Sequence, residues 1–171
     1  DEILKDRWLN SGDIFMWTTA GEIKFAGRAK DTIVLAGGEN VEPGPIEIKI
    51  GASEFVSQVM VVGQDKKTLG ALIVPNRDRV KEEMGESMDV PEDLAKWNES
   101  KELHKFFAAI VKEAVSTQNG FKAFEKVTTF AFLPKELEKG KEMTETMKIK
   151  RNIVLDQYES LIEHMYDHHG V

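Results

Sequence analysis

Apolar side chains recur at the helical period most clearly in residues 100–114, where Leu103, Phe106, Phe107, Ile110, Val111 and Ala114 fall at i, i+3, i+4, i+7, i+8 and i+11. That spacing draws one stripe along a helix and predicts an amphipathic helix packed on a core, with Ser100 as its N-cap. His104 stands among charged residues outside the stripe and is expected on the solvated face. Val154, Tyr158, Leu161, Ile162 and Met165 repeat the pattern and predict a second helix near the end of the chain. Residues 56–63 and 69–75 are instead continuous β-branched and aliphatic runs, separated by Gln64-Asp65-Lys66-Lys67-Thr68, and predict an antiparallel pair. Residues 127–133 predict a third strand with Phe130 and Phe132 on one face. Earlier, residues 14–18 and 22–26 flank Thr19-Ala20-Gly21 and predict a β-hairpin. Between 45 and 51 the pattern stays open: Ile46 and Ile50 fit a helix, whereas Ile46, Ile48 and Ile50 fit a strand. Residues 76–98 are acidic and broken by Pro91, as a solvated helix followed by a connection would be. Three strands and two packing helices, without strict alternation, give the fold class α+β: a small antiparallel sheet of about three strands flanked by helices and preceded by a β-hairpin.

Composition narrows the class of partner. A formal net charge of -7 over 171 residues, with 41% hydrophobic and 31% charged positions, describes an acidic globular protein. Nucleic acid is a poor partner for it, because phosphate neutralisation needs clustered cations and none exceeds Lys148-Ile149-Lys150-Arg151. The absence of cysteine excludes disulfides, thiol catalysis and zinc–thiolate sites, and fits a cytoplasmic protein. No apolar run reaches the roughly 18 residues of a membrane span, so membrane contact is expected to be peripheral at most. The opening DEILKDRW is no signal peptide and lacks an initiator Met, which leads us to expect a piece of a longer chain.

Candidate chemistry sits in two segments. In residues 27–43 a charged joint is followed by a short β-branched strand, a Gly-Gly turn and an extended run broken by Pro43 and Pro45. With the hairpin turn near Ala20, pairing sets Asp13 opposite Gly27 and brings its carboxylate near the Arg28 guanidinium. A carboxylate and a planar donor fork together suit the vicinal hydroxyls of a ribose, although they also make an ordinary ion pair closing a hairpin. Lys30 and Asp31 are charged and unbranched at Cβ, as a solvated joint or a simple linker would be. The Gly37-Gly38 turn lacks the spacing of a nucleotide P-loop and reads as bare backbone against a ligand or as a hairpin turn. The second segment is Thr144-Glu145-Thr146-Met147-Lys148-Ile149-Lys150-Arg151, a short basic run ahead of the last helix. His164 and His168, with Asp167 and His169 beside them, stand at a spacing that could hold a surface metal, but no metal site is assigned.

GRAKDTIVLAGGENVEPGPIE (27–47) resembles the linker and glycine loop of the adenylate-forming acyl-CoA synthetases, and ELEKGKEMTETMKIKR (136–151) resembles the lysine motif of their long-chain fatty-acid branch. The resemblance implies two domains' worth of sequence: residues 1–29 as the last hairpin of a large N-terminal AMP-binding domain, and 30–171 as a mobile C-terminal domain. It implies Asp13 and Arg28 on the nucleotide ribose, Lys30 and Asp31 as the hinge, and Gly37, Gly38, Glu39 and Asn40 along the pantetheine arm of coenzyme A. It implies Lys148 as the catalytic lysine, with Lys150 as a competing register. The more familiar motif has Gly before that lysine, and Met147 departs from it. Fatty acid, ATP with magnesium, and CoA are the implied ligands, held largely by the N-terminal domain that would be this chain's partner, so the chain alone is expected to be inert. A stand-alone acidic interaction module, or a ligase for a different acid, remains open at this level.

Overall fold

The structure, a computed structural model, describes residues 4–5, 8–85 and 90–167. His168 and His169, and residues 86–89 of the acidic stretch, lie outside them. Three short antiparallel ladders come first: β1 (Leu4–Lys5) with β2 (Trp8–Leu9), β3 (Asp13–Trp17) with β4 (Ile23–Arg28), and β5 (Ile33–Val34) with β6 (Asn40–Val41). The open 45–51 segment is helical, as α1 (Pro43–Gly51). Proline is tolerated in a first turn, where its missing N–H is not needed, and Ile46 and Ile50 then point inwards while Ile48 is 74% exposed.

β7 (Val56–Val62) and β8 (Leu69–Pro75) pair antiparallel as their sequence predicts. α2 (Arg77–Met84) is capped by the Asn76 side chain, a 3₁₀ turn follows at Leu94–Glu99, and α3 (Lys101–Ala114) starts at Ser100, whose hydroxyl accepts the Leu103 N–H at 3.3 Å. β9 (Val127–Phe132) joins β8 parallel, in place of the expected antiparallel third strand, so the sheet is mixed with order β7-β8-β9. Residues 76–126 carry the chain across one face and return it in the same direction, which only a crossover of this kind allows. The fold is α+β, as its composition of elements implies.

Continuous apolar runs are explained by burial on both faces of this sheet. Val59, Val61, Ala71, Ile73, Phe130 and Phe132 face α1, α3 and Trp97. Met60, Val62, Leu72, Val74, Ala131 and Leu133 face α4 (Arg151–Gln157) and α5 (Glu159–Asp167). Trp97, Phe107 and Phe132 are fully buried and meet edge to face, and truncating any of them to alanine costs about 3–5 kcal/mol. α5 packs so close to β8 that a Cβ on Gly70 would stand 2.6 Å from Met165 Cε. Two details differ from expectation. The last helix breaks at Tyr158 into α4 and α5. His104 is half-buried, stacked on Phe130 at 5.0 Å, because it borders the Leu103–Phe107 stripe rather than opposing it.

Candidate functional site

The β3–β4 hairpin departs from regular pairing at one point. Phe15 faces Phe25, but Ile14 faces Gly27, so Ala26 is the extra residue of a bulge. The shift sets Asp13 opposite Arg28, one place beyond the expected Gly27, and the two side chains meet at 3.3 Å. The carboxylate is 24% and the guanidinium 45% exposed, so both can still reach a ligand.

Lys30 and Asp31 follow in a tight turn in which the Asp31 and Thr32 N–H groups donate to the Arg28 carbonyl. Neither side chain has an ion pair or hydrogen bond among the described residues. The Thr32 hydroxyl donates to Glu42 Oε1 at 2.6 Å and ties the strand after the turn to the foot of α1. The Gly37-Gly38 turn closes by a Gly38 N–H to Leu35 carbonyl bond, with Gly38 at φ 88, a conformation that excludes most side chains.

The lysine segment is a loop tied across its base. Met143 and Ile149 bridge at its base, the Thr144 N–H donates to the Lys148 carbonyl at 2.8 Å, and the Lys148 N–H donates to the Thr144 hydroxyl at 3.0 Å. Met147 stands at φ 62, in the left-handed region where glycine is free of strain. Glycine at this position would adopt the same backbone without strain. Below the loop, Glu142 is buried and accepts from the Glu138 N–H and the Lys135 ammonium, both at 3.1 Å. Backbone N–H groups first, and Lys135 after them, hold its carboxyl down to about 2. The Glu142 carbonyl accepts the Lys150 N–H at 2.8 Å, and the Lys150 ammonium reaches the Gly140 carbonyl at 3.4 Å. The Lys148 ammonium has no partner among the described residues.

Arg28, Lys30, Asp31, Lys148 and Lys150 line a single open cleft of about 990 Å³, together with Glu42, Glu47, Met147 and Arg151. Lys30, Lys148 and Lys150 bring three ammonium groups to it beside the Asp31 and Glu42 carboxylates, while Arg28 is paired with Asp13 and Arg151 with Glu47. Such a cleft has room for a molecule of nucleotide size. Asp13 reaches it through Arg28, whereas Gly37, Gly38, Glu39 and Asn40 do not line it. Glu42, Glu47, Glu142 and Thr144 were not among the candidates read from sequence. Glu42 and Glu47 bond to partners ten or more residues away, whereas Glu142 and Thr144 bond within their own irregular loop, and no helical or strand period marks any of the four.

An α+β domain that carries a lysine-lined cleft and a lysine on a tied loop is the class of protein these features define. The chain belongs to the AMP-binding enzyme C-terminal domain family, whose model matches residues 30–170. It is 32% identical over 176 residues to the chloroplastic long-chain-fatty-acid–acyl-carrier-protein ligase AEE15 of Arabidopsis thaliana, spanning 93% of this chain and 21% of that protein. It is 31% identical over 174 residues to the long-chain-fatty-acid–CoA ligase FadD15 of Mycobacterium tuberculosis, spanning 97% and 28%. The chain thus spans about a quarter of the length of the curated relatives it matches. In fold it matches the adenylation domain of a carboxylic acid reductase from Segniliparus rugosus, solved with AMP and a carboxylic acid, with a TM-score of 0.75 over 98% of this chain and 25% of that one, at 20% identity. The expected kinship with the adenylate-forming enzymes therefore holds.

Proposed function

We propose that residues 30–171 are the mobile C-terminal domain of an AMP-forming long-chain fatty-acid–CoA ligase, and that residues 1–29 are the last hairpin of its large N-terminal domain. The observation that carries the reading is that the Lys148 ammonium, which has no partner among the described residues, stands in the same cleft as Arg28. In the first half-reaction a fatty carboxylate oxygen attacks the α-phosphorus of ATP, a new P–O bond forms, and pyrophosphate leaves. Two anions must approach each other, and a compact ammonium beside both lowers that barrier, a contact worth about 10²–10³ in rate. Asp13 and Arg28 hold the ribose hydroxyls. In the second half-reaction a thiol sulfur attacks the acyl carbonyl and AMP departs. Rotation about Lys30 and Asp31 would take Lys148 away and bring Gly37–Asn40 along the pantetheine arm, which agrees with that loop's position outside the present cleft.

Exposed Phe15, Trp17, Ile23 and Phe25 on the hairpin, at 54–74%, support its packing on further protein, and this is where the partner N-terminal domain would sit. Magnesium would screen the triphosphate charge, held in this reading largely by the N-terminal domain together with the phosphates themselves. No helix among the described residues is long and apolar enough to cross a membrane. The name of the AEE15 relative favours a second acceptor, the same pantetheine thiol on an acyl carrier protein.

The test uses the full-length protein with Lys148→Ala and Lys150→Ala, following pyrophosphate release with palmitate and ATP, then thioester formation with CoA or holo-acyl carrier protein. Lys148→Ala should lose pyrophosphate release and Lys150→Ala should largely retain it. Equal activity of the two variants overturns the assignment of Lys148.

A further inference from the structure

We infer that Glu47 and Arg151 are positioning residues that aim Lys148, acting as a clamp on the free edge of the central sheet. The inference rests on the reading of Lys148 as the adenylating lysine. β7 is an edge strand, and Val61 turns both of its backbone groups away from β8. An unpaired strand edge ordinarily waits for another strand. Here the Val61 N–H donates to Glu47 Oε1 at 2.8 Å, and the Val61 carbonyl accepts from Arg151 Nη2. Arg151 Nη1 closes the ring by donating to the same Glu47 oxygen at 2.5 Å. Both side chains are mostly buried, at 17% and 22% exposed.

The consequence lies in sequence position. Arg151 is the first residue of α4 and stands three residues after Lys148, next to Lys150, whose N–H is held by the Glu142 carbonyl. One foot of the lysine loop is therefore tied to the sheet edge through α1, and the whole loop stands on a rigid base. Lys148 itself is long and flexible, so the placement of its ammonium depends on that base. A foot displaced by about 1 Å is enough to lower the rate of a positioned step by about 10²-fold. The planar fork of Arg151 donates to the Glu47 carboxylate and the Val61 carbonyl from two fixed nitrogens, whereas Arg151→Lys leaves one flexible ammonium to share between them.

The experiment compares Arg151→Lys, Glu47→Ala and Glu47→Gln in the full-length protein, each alone and combined with Lys148→Ala. Pyrophosphate release, thioester formation from preformed acyl-adenylate, and amide hydrogen exchange of residues 144–150 are measured. Arg151→Lys and Glu47→Ala should slow pyrophosphate release about tenfold or more with KM for ATP nearly unchanged, as expected when placement rather than binding is lost. Thioester formation should stay near wild type, loop exchange should rise, and Glu47→Gln, which keeps the acceptor oxygen, should restore most of the rate. Adding either substitution to Lys148→Ala should cost nothing further.

Additive losses in those double variants overturn the clamp, as does an equal loss in both half-reactions. So does a rise in KM for ATP with Arg151→Lys that Glu47→Ala does not share, which would mark a direct ligand contact. If Glu47→Ala does not fold, unchanged loop exchange in Arg151→Lys is sufficient to overturn it. A wild-type rate in Lys148→Ala would overturn the lysine reading and the inference with it. A slow Lys148→Ala beside fast clamp variants removes the clamp alone.

Discussion

The buried Glu142 carboxylate accepts the Lys135 ammonium at 3.1 Å, directly beneath the loop that carries Lys148. Its carboxyl is held at about 2, far below its ordinary 4.5, so the ionised form is bound more strongly folded than unfolded. The contribution is complete above pH 4.5 and is lost as pH falls from there through about 2. Denaturant midpoints measured across this range should fall steeply for the native protein and less steeply for Glu142→Gln. At pH 7 the same variant should lose about 1–3 kcal/mol, because charged hydrogen bonds are broken in a buried place.

Met147 adopts a left-handed backbone with its side chain 60% exposed. Met147→Gly should leave stability unchanged or raise it by up to about 1 kcal/mol, since relief of backbone strain offsets the greater freedom of the unfolded chain. Met147→Val, branched at Cβ, should lower it by about 1–2 kcal/mol. Thermal denaturation of the pair decides whether φ 62 is real strain at the residue before the lysine.

Asp13 and Arg28 meet on a partly exposed hairpin, so their ion pair contributes less than about 1 kcal/mol to folding. If they hold the ribose, Asp13→Asn and Arg28→Ala should weaken AMP binding to the full-length protein by about 1.5–3 kcal/mol, the value of hydrogen bonds to a charged group, with little change in melting temperature. Calorimetric titration with AMP measures this directly. Loss of stability without loss of affinity would return the pair to a purely structural role.

At the turn neither Lys30 nor Asp31 has a side-chain partner among the described residues, and its proposed role is rotation. Lys30→Pro restricts φ to about -65° and should trap one pose. Assayed separately in the full-length protein, one half-reaction should survive while the other collapses. Wild-type rates in both would show that the pivot lies elsewhere.

Much of the fold was legible because it is local. The Leu103–Ala114 stripe, the Ser100 cap, the paired strands at 56–62 and 69–75, and the β3–β4 hairpin are each written in the period or turn chemistry of a few neighbouring residues. The lysine motif and the glycine turn were legible as strings, and so were the Asp13 and Arg28 candidates. What these residues could not state was their partners. Whether β9 adds parallel or antiparallel depends on where a 51-residue crossover returns. His104 was misread because a residue at the border of a helical stripe faces water or a ring according to what packs beside it, here Phe130.

The sequence by itself determined which segments would be helix or strand, because backbone period and side-chain shape act over a few residues. Only the tertiary structure decided that one inserted residue sets Arg28 against Asp13, that a buried Glu142 stiffens the base of the lysine loop, and that Glu47 and Arg151 close on Val61 from 104 residues apart. Those relationships depend on burial, on a backbone irregularity and on hydrogen bonds that follow no local period, and they take their direction and strength from the assembled core.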